Sequence, residues 1–416
     1  MYFKSKECRL CLSRNIKDIF KLNKIPLGEK YYSSKIKAAK SFEFPITISW
    51  CKDCKNVQLK EVVNTKNLWK DYTYISGQTK AIDIHFKKFA KNTIKKFNLS
   101  KKDLVLDIGS NDGSLLNHFK KKTKVLGIDP ARNIVEIANK RGIDSIAGLF
   151  NLTQSKNIKR KYGQPKIITA FNVFAHSENL REMLIAIKEL LNNDGVFIFE
   201  VQYLKDIYKN KIIGTFFHEH MYHHSVTSLN NFFNAFNMTL YDVHNVNIQK
   251  GSIIGFVCKN GSKKVKKSVK KFLIDEKKNK LNNLIKLKSL KNFILNQKNE
   301  CQKVLKEYSL RGIIAGYGAA RSGPLLASNF GLDKYLKLLF DDHKLKVNKF
   351  SSFKQLKVLP SKSINQIKPS LCVILAYLHS KKILKTNKTY VKNGGKFLLI
   401  YPKIKIVSKK NFKKFL

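Results

Sequence analysis

Leu104-Val-Leu-Asp107-Ile-Gly109-Ser110-Asn111-Asp112-Gly113-Ser-Leu-Leu116 is the stretch that decides the fold. An apolar run closed by glycine reads as a buried strand, an acid stands near its end, and a Gly-x-x-x-Gly turn opens a helix. Glycines let the backbone approach a ligand closely, and the amides of such a turn face whatever lies above the strand end. The next strand ends in Gly127-Ile-Asp129-Pro130, an acid about twenty residues on, where a carboxylate can take a ribose diol. Asp112, inside the turn, argues against a dinucleotide pyrophosphate there, because like charges would meet.

Working outward, short apolar runs recur at 125–128, 143–147, 167–170, 196–200 and 253–258, with helical stretches between them. A helical pattern over 80–99, apolar at Ile82, Phe86, Phe89, Ile94 and Phe97, leads into the first run. Strand and helix alternation of this kind implies a mainly parallel sheet with helices on both faces. Residues 263–308 are Lys-rich and lack Pro and Gly, which predicts one or two long connecting helices with a solvated charged face. A second alternating unit follows, with strands expected at 312–318, 336–340, 372–376 and 396–400.

Cys8-x-x-Cys11 and Cys51-x-x-Cys54 form two chelating pairs. Together they supply the four thiolates of a closed tetrahedral zinc site, so the predicted metal is structural and has no open position for catalysis. Cys258, Cys301 and Cys372 stand alone and read as ordinary thiols.

The formal charge of +52 would ordinarily suggest nucleic acid or an anionic membrane. Only eight of the 81 basic residues are Arg, however, and the Lys is spread over the whole chain. Phosphate and base readers favour the bidentate fork of Arg, so nucleic acid is discounted as a partner. No apolar stretch reaches the length of a membrane span and the N-terminus does not resemble a signal peptide, so a soluble cytoplasmic protein is expected.

The strand, turn and second acid resemble motifs I and II of class I S-adenosylmethionine-dependent methyltransferases, which carry no phosphate at this turn and tolerate Asp112. The resemblance implies that Asp107, Gly109, Ser110, Asn111 and Gly113 line the methionine part of the cofactor and that Asp129 binds its ribose. Gly148 and Leu149 would lie beside the adenine. Asn172-Val-Phe-Ala-His176 would close the pocket, with Asn172 as a contact, although His176 alone reads equally well as a capping or core histidine. The expected fold class is α/β: a class I methyltransferase (Rossmann-like) domain over 69–260, flanked by a zinc-binding domain over 1–68 and a second Rossmann-like domain over 311–416. A helical connector over 261–310 would join the last two.

Phe216-Phe217-His218-Glu219-His220-Met-Tyr222-His223-His224-Ser225 crowds acid-base side chains into a few positions. It lacks the His-x-x-x-His frame of a helical metal site, whereas proton removal beside a carbonyl calls for a base with a near-neutral pKa. The order of paired cysteines, Asp71-Tyr-Thr-Tyr74-Ile-Ser-Gly77, motif I, Asn172 to His176, His218-Glu219-His220 and Gly316-Tyr317-Gly318-Ala-Ala resembles the deoxysugar C-methyltransferases that act on nucleotide-linked 4-keto sugars.

That resemblance implies His220 as base, Glu219 as its neighbour in the site and Tyr74 as the aromatic facing the methyl and the sugar. It also implies a nucleotide-diphosphate keto sugar as acceptor. The sequence departs from the family at Phe217, where a Tyr is expected, and at His223-His224, where aromatics usually stand; Tyr222 or one of these histidines can supply the lost donor. His218, Tyr222, Tyr317 and Arg321 are candidate substrate contacts, and Asp341-Asp342 lie near the same expected cleft. Methylation of RNA or another macromolecule, and noncatalytic cofactor binding, are the alternative readings.

Overall fold

A computed structural model describes residues 2–28, 30–64, 68, 74–248 and 250–416 of the chain. Asp71, Tyr72 and Thr73 of the motif that runs into Tyr74 lie outside the described residues. The chain packs as two compact units that interleave along the sequence. The first comprises Met1–Asp18, Ser49–Asp206 and Glu219–Lys286; the second comprises Ile19–Ile48, Ile207–His218 and Leu287–Leu416.

The first unit is organised by a seven-stranded sheet. Its strands are β1 (Leu104–Ile108), β2 (Lys124–Asp129), β3 (Ser145–Ala147), β4 (Ile167–Phe171), β5 (Val196–Gln202), β6 (Met238–Val246) and β7 (Ser252–Lys259). Their order is β6-β7-β5-β4-β1-β2-β3. β1 to β5 run parallel, while β7 is antiparallel to β5 and β6. β1 and β4 are buried at every residue, which explains why they read as unbroken apolar runs. Strand order reverses at β1, so a crevice opens above the ends of β1 and β4, the place where open α/β sheets bind ligands. Helix α1 (Lys80–Lys96) packs Phe86, Phe89 and Ala90 into the core beneath this edge.

Two features of β6 hid it from sequence reading. Its run Met-Thr-Leu-Tyr-Asp-Val-His-Asn-Val mixes polar residues into the strand, as an edge strand permits, and a bulge between Leu240 and Asp242 breaks the alternation. The predicted connector forms two helices, α3 (Lys267–Lys278) and α4 (Leu284–Ser309), after α2 (Val226–Ala235).

The second unit carries an eight-stranded sheet. Strands β8 (Ile314–Tyr317), β9 (Leu336–Phe340), β11 (Lys357–Leu359), β12 (Leu371–Ile374) and β13 (Phe397–Leu399) are parallel. The antiparallel strands β10 (Phe350–Ser351) and β14 (Lys405–Val407) flank them, and Tyr31–Tyr32 pairs with β10. This is the second Rossmann-like unit that the spacing of apolar runs predicts. Among the described residues no helix is long and apolar enough to cross a membrane.

Candidate active site and zinc centre

The four cysteines converge as their spacing predicts. One sulfur from each of Cys8, Cys11, Cys51 and Cys54 lies within 4.8 Å of the others; Cys8 and Cys54 are 3.4 Å apart and Cys11 and Cys51 are 3.6 Å apart. Sulfurs about 2.3 Å from a tetrahedral zinc ion are separated by about 3.8 Å, so the cluster fits that ion. Both knuckles use the same backbone device. Leu12 and Lys55, each following the second cysteine of its pair, have φ of +62° and +66°, and their amides close onto the carbonyls of Cys8 and Cys51 at 2.7 and 3.1 Å. Asn56 donates to the Cys8 sulfur at 3.7 Å, a contact that steadies a thiolate ligand.

This module also holds the histidine segment. Tyr222 and His223 pair antiparallel with Gln58 and Val57, immediately after the second knuckle. Arg9, inside the first knuckle, donates to the carbonyls of Met221 and Leu59 at 2.8 and 3.2 Å. Its guanidinium lies 4.4 Å from the centre of the Tyr222 ring.

A cavity of about 360 Å³ opens at the C-terminal ends of the parallel strands. Gly109, Asn111, Asp129, Gly148, Leu149 and Asn172, all expected cofactor contacts, line it together with Tyr74 and His176. Gly109 has φ +69°, and a Cβ there would fall 2.2 Å from a methyl of Val173, so only glycine fits. The Asp129 carboxylate accepts from the amides of Asn111 and Ala131 at 3.0 and 2.9 Å. Burial raises its pKa and these two amides oppose the rise.

Asn111 ties the loop before α1 onto the turn: its Oδ1 accepts from Ser76 N at 2.9 Å and its Nδ2 donates to Tyr74 O at 3.0 Å. Tyr74 is thereby held at the cavity.

Three expected cofactor contacts do not line this cavity. Asp107 is buried, takes a 2.6 Å hydrogen bond from Thr169, and is pushed up to about pH 7 in its pKa chiefly by burial. Ser110 sits tight against Gly127, and Gly113 adopts φ +73° to start the helix. Asp112 points into an ion pair with Arg141 and accepts from Ser114 at 2.6 Å.

A second, small cavity of about 20 Å³ is lined by Asn172, Ala175, His176, Val201, Gln202, His220, Tyr222 and His223. Asn172 and His176 border both cavities, and the rings of His176 and His220 meet edge to face at 4.8 Å. Sequence reading left the role of His176 open; its place between the cavities is the feature that only the fold reveals. Burial, with His220 and His224 close by, holds His223 well below the ordinary imidazole pKa, so it is neutral. Burial raises the Tyr222 phenol although Arg9 opposes it, so Tyr222 keeps its proton.

Glu219 is buried and lines neither cavity. His218 falls in the second unit, where its ring meets Phe44 at 5.5 Å and burial lowers its pKa to about 4. Tyr317 and Arg321 also belong to the second unit. Tyr317 packs in that unit's core with Asn387 donating to its hydroxyl at 3.0 Å, and Arg321 is half-buried with its carbonyl against Gly28. Asp341 accepts from Ala319 N at 2.7 Å and so closes the Gly316-Tyr317-Gly318 turn from within.

Comparison with known proteins agrees with this arrangement. Residues 8–69 match a zinc binding domain, residues 83–243 a methyltransferase domain, and residues 247–402 the C-methyltransferase C-terminal domain. The C-methyltransferase NovU of Streptomyces niveus is 26% identical over 406 residues, covering 97% of each chain. Solved structures overlap only loosely. An S-adenosylmethionine-dependent methyltransferase from Clostridium acetobutylicum covers 42% of this chain and 91% of its own at 14% identity and a TM-score of 0.34. The magnesium protoporphyrin IX methyltransferase of Synechocystis, with bound S-adenosylhomocysteine, covers 47% and 92% at 15% identity and a TM-score of 0.35. Overlays this loose carry no argument, and the strand order stands on the sheet itself. With the three domain models in sequence order and a C-methyltransferase relative aligned along nearly its whole length, the chain is an S-adenosylmethionine-dependent methyltransferase with an N-terminal zinc-binding domain, similar throughout to a C-methyltransferase.

Proposed function

We propose that the chain methylates the carbon alpha to the ketone of a nucleotide-diphosphate-linked keto sugar, with His220 as the base. Carbon beside a carbonyl becomes nucleophilic only when a proton leaves, so the site needs a base close to the methyl donor. The observation that carries the reading is the pair of cavities that share Asn172 and His176, one fitted to the cofactor and the other bordered by His220, His223 and Tyr222.

The cofactor, when bound, supplies an electrophilic methyl group on a sulfonium. His220 is half-buried at the rim of the small cavity, where it takes the alpha proton, leaving an enolate whose carbon would bond to the methyl group as the methyl–sulfur bond breaks, with S-adenosylhomocysteine as the leaving group. Tyr222, kept protonated by burial, donates to the enolate oxygen and makes up for the hydroxyl missing at Phe217. Neutral His223 is a second hydrogen-bonding group in the same wall. Tyr74, fixed by Asn111, presents its ring at the cofactor cavity. A base in this position typically contributes about 10²- to 10⁴-fold, and holding the reactants in contact contributes more.

The reading keeps 1–68, 69–260, 261–310 and 311–416 as its functional segments. The direct test is methyl transfer from labelled S-adenosylmethionine to a panel of nucleotide 4-keto sugars. Methylated sugar supports the reading, and silence across the panel with normal cofactor binding would sink it.

A further inference from the structure

Glu200, near the C-terminal end of β5, is fully buried, and a carboxylate in such surroundings needs partners. His85 on α1 supplies one, with Nε2 2.5 Å from Glu200 Oε2 and a proton between them. The His85 ring lies 6.3 Å from that of Phe171 and 6.1 Å from that of Phe86, two residues that wall the cofactor cavity.

The rest of Glu200 is turned to Asn172. Its main-chain carbonyl accepts the Asn172 N–H at 2.8 Å, and its Oε1 accepts from Asn172 Nδ2 at a longer 3.4 Å. Asn172 itself adopts φ +56°, a conformation that asparagine tolerates better than most residues. With its backbone N–H and one of its two Nδ2 hydrogens directed to Glu200, Asn172 retains its side-chain carbonyl oxygen Oδ1 as an acceptor for a ligand, beside the second Nδ2 hydrogen. The matching chemistry on the ligand is an N–H or O–H donor, and the cofactor's amino-acid end carries an ammonium.

We propose that His85 and Glu200 are positioning residues of the methyltransferase site, holding Asn172 so that its Oδ1 receives the cofactor's ammonium. The proposal rests on Asn172 as a cofactor contact and is independent of which acceptor is methylated.

Calorimetric binding to the full-length, zinc-loaded protein tests it with two probes, S-adenosylhomocysteine and 5′-methylthioadenosine, which lacks the ammonium. Asn172→Ala is expected to weaken S-adenosylhomocysteine by about tenfold and to leave methylthioadenosine within about twofold. Glu200→Gln, nearly isosteric, should weaken S-adenosylhomocysteine by about fivefold, and His85→Phe, which suits the aromatic surroundings, should do the same. Because both act through Asn172, neither should add to the loss once Asn172 is Ala. Equal losses in the two backgrounds, or equal losses for the two probes, would mean that the pair merely supports the fold, and the proposal would be overturned. So would an Asn172→Ala protein that binds S-adenosylhomocysteine normally.

Discussion

Arg9 Nη2 donates to the Met221 carbonyl at 2.8 Å, joining a residue inside a zinc knuckle to the residue just before the short strand Tyr222–His223. The metal module is therefore part of the support of the proposed catalytic wall as well as a staple for a small domain. Removing zinc should disorder the knuckles, because a module of this size draws most of its folding energy from the metal. Chelation, or Cys54→Ser, is expected to reduce zinc from one ion per chain and to abolish methyl transfer, while S-adenosylhomocysteine binding falls by less than about threefold. Arg9→Ala should retain zinc and lose about tenfold in kcat, since a charge-assisted hydrogen bond and a cation–π contact go together. Metal analysis alongside calorimetry and turnover separates these outcomes; full activity in the zinc-free protein would refute the link.

Asn111 makes a comparable connection on the cofactor side. Its side chain spans Ser76 N and Tyr74 O, two hydrogen bonds worth about 0.5 to 1.5 kcal/mol each. Asn111→Ala is expected to weaken S-adenosylhomocysteine by about tenfold and to make the peptide before α1 more susceptible to limited proteolysis, with protection restored by saturating ligand. An unchanged affinity would show that the loop is held by other contacts.

Acid should weaken the fold through its buried histidines, against an opposing contribution from Asp107, whose raised pKa favours the folded state as pH falls. Burial lowers His218 and His224 to about 4 and His223 well below the ordinary value of 6.5. Their neutral rings contribute stability that is present above about pH 6.5 and is lost as pH falls toward the folded values, because the unfolded chain takes up protons that the folded chain refuses. Each ring held near 4 accounts for about 2 kcal/mol at pH 5. His224→Phe is a suitable probe, since the ring lies 5.9 Å from Phe174 and its hydrogen bond to the Phe174 carbonyl is a long 3.4 Å. Urea midpoints at pH 7 and pH 5 should lie closer together in this variant than in the parent; an unchanged gap would assign the acid sensitivity elsewhere.

Much of this architecture was legible in the sequence. β1 and β4 are buried along their whole length and so appear as apolar runs, and the cysteine pairs carry their own geometry in their spacing. What sequence could not show was which polar residues of a motif face the ligand. Asp107 at the end of β1 and Asp112 in the turn after it belong to the motif that announces the cofactor, yet one is covered by Thr169 and the other is drawn off by Arg141. The histidine cluster divides in the same way: His220 and His223 border the small cavity, whereas His218 packs on Phe44 in the second unit. Adjacent positions on an irregular segment point in different directions, and no periodicity records which. Glu200 and His85 lie 115 residues apart, and only the fold brings them to Asn172.

His220 is the residue on which the account turns, so the most direct measurement is made on His220→Ala. The variant and the parent, both zinc-loaded, are incubated in deuterated water with S-adenosylhomocysteine and a panel of nucleotide 4-keto sugars, and solvent deuterium entering the carbon alpha to the ketone is followed by mass spectrometry. The parent should exchange that position, while the variant loses at least about a hundredfold in exchange and in methyl transfer with cofactor affinity intact. Exchange at the parental rate in His220→Ala would contradict the assignment of the base.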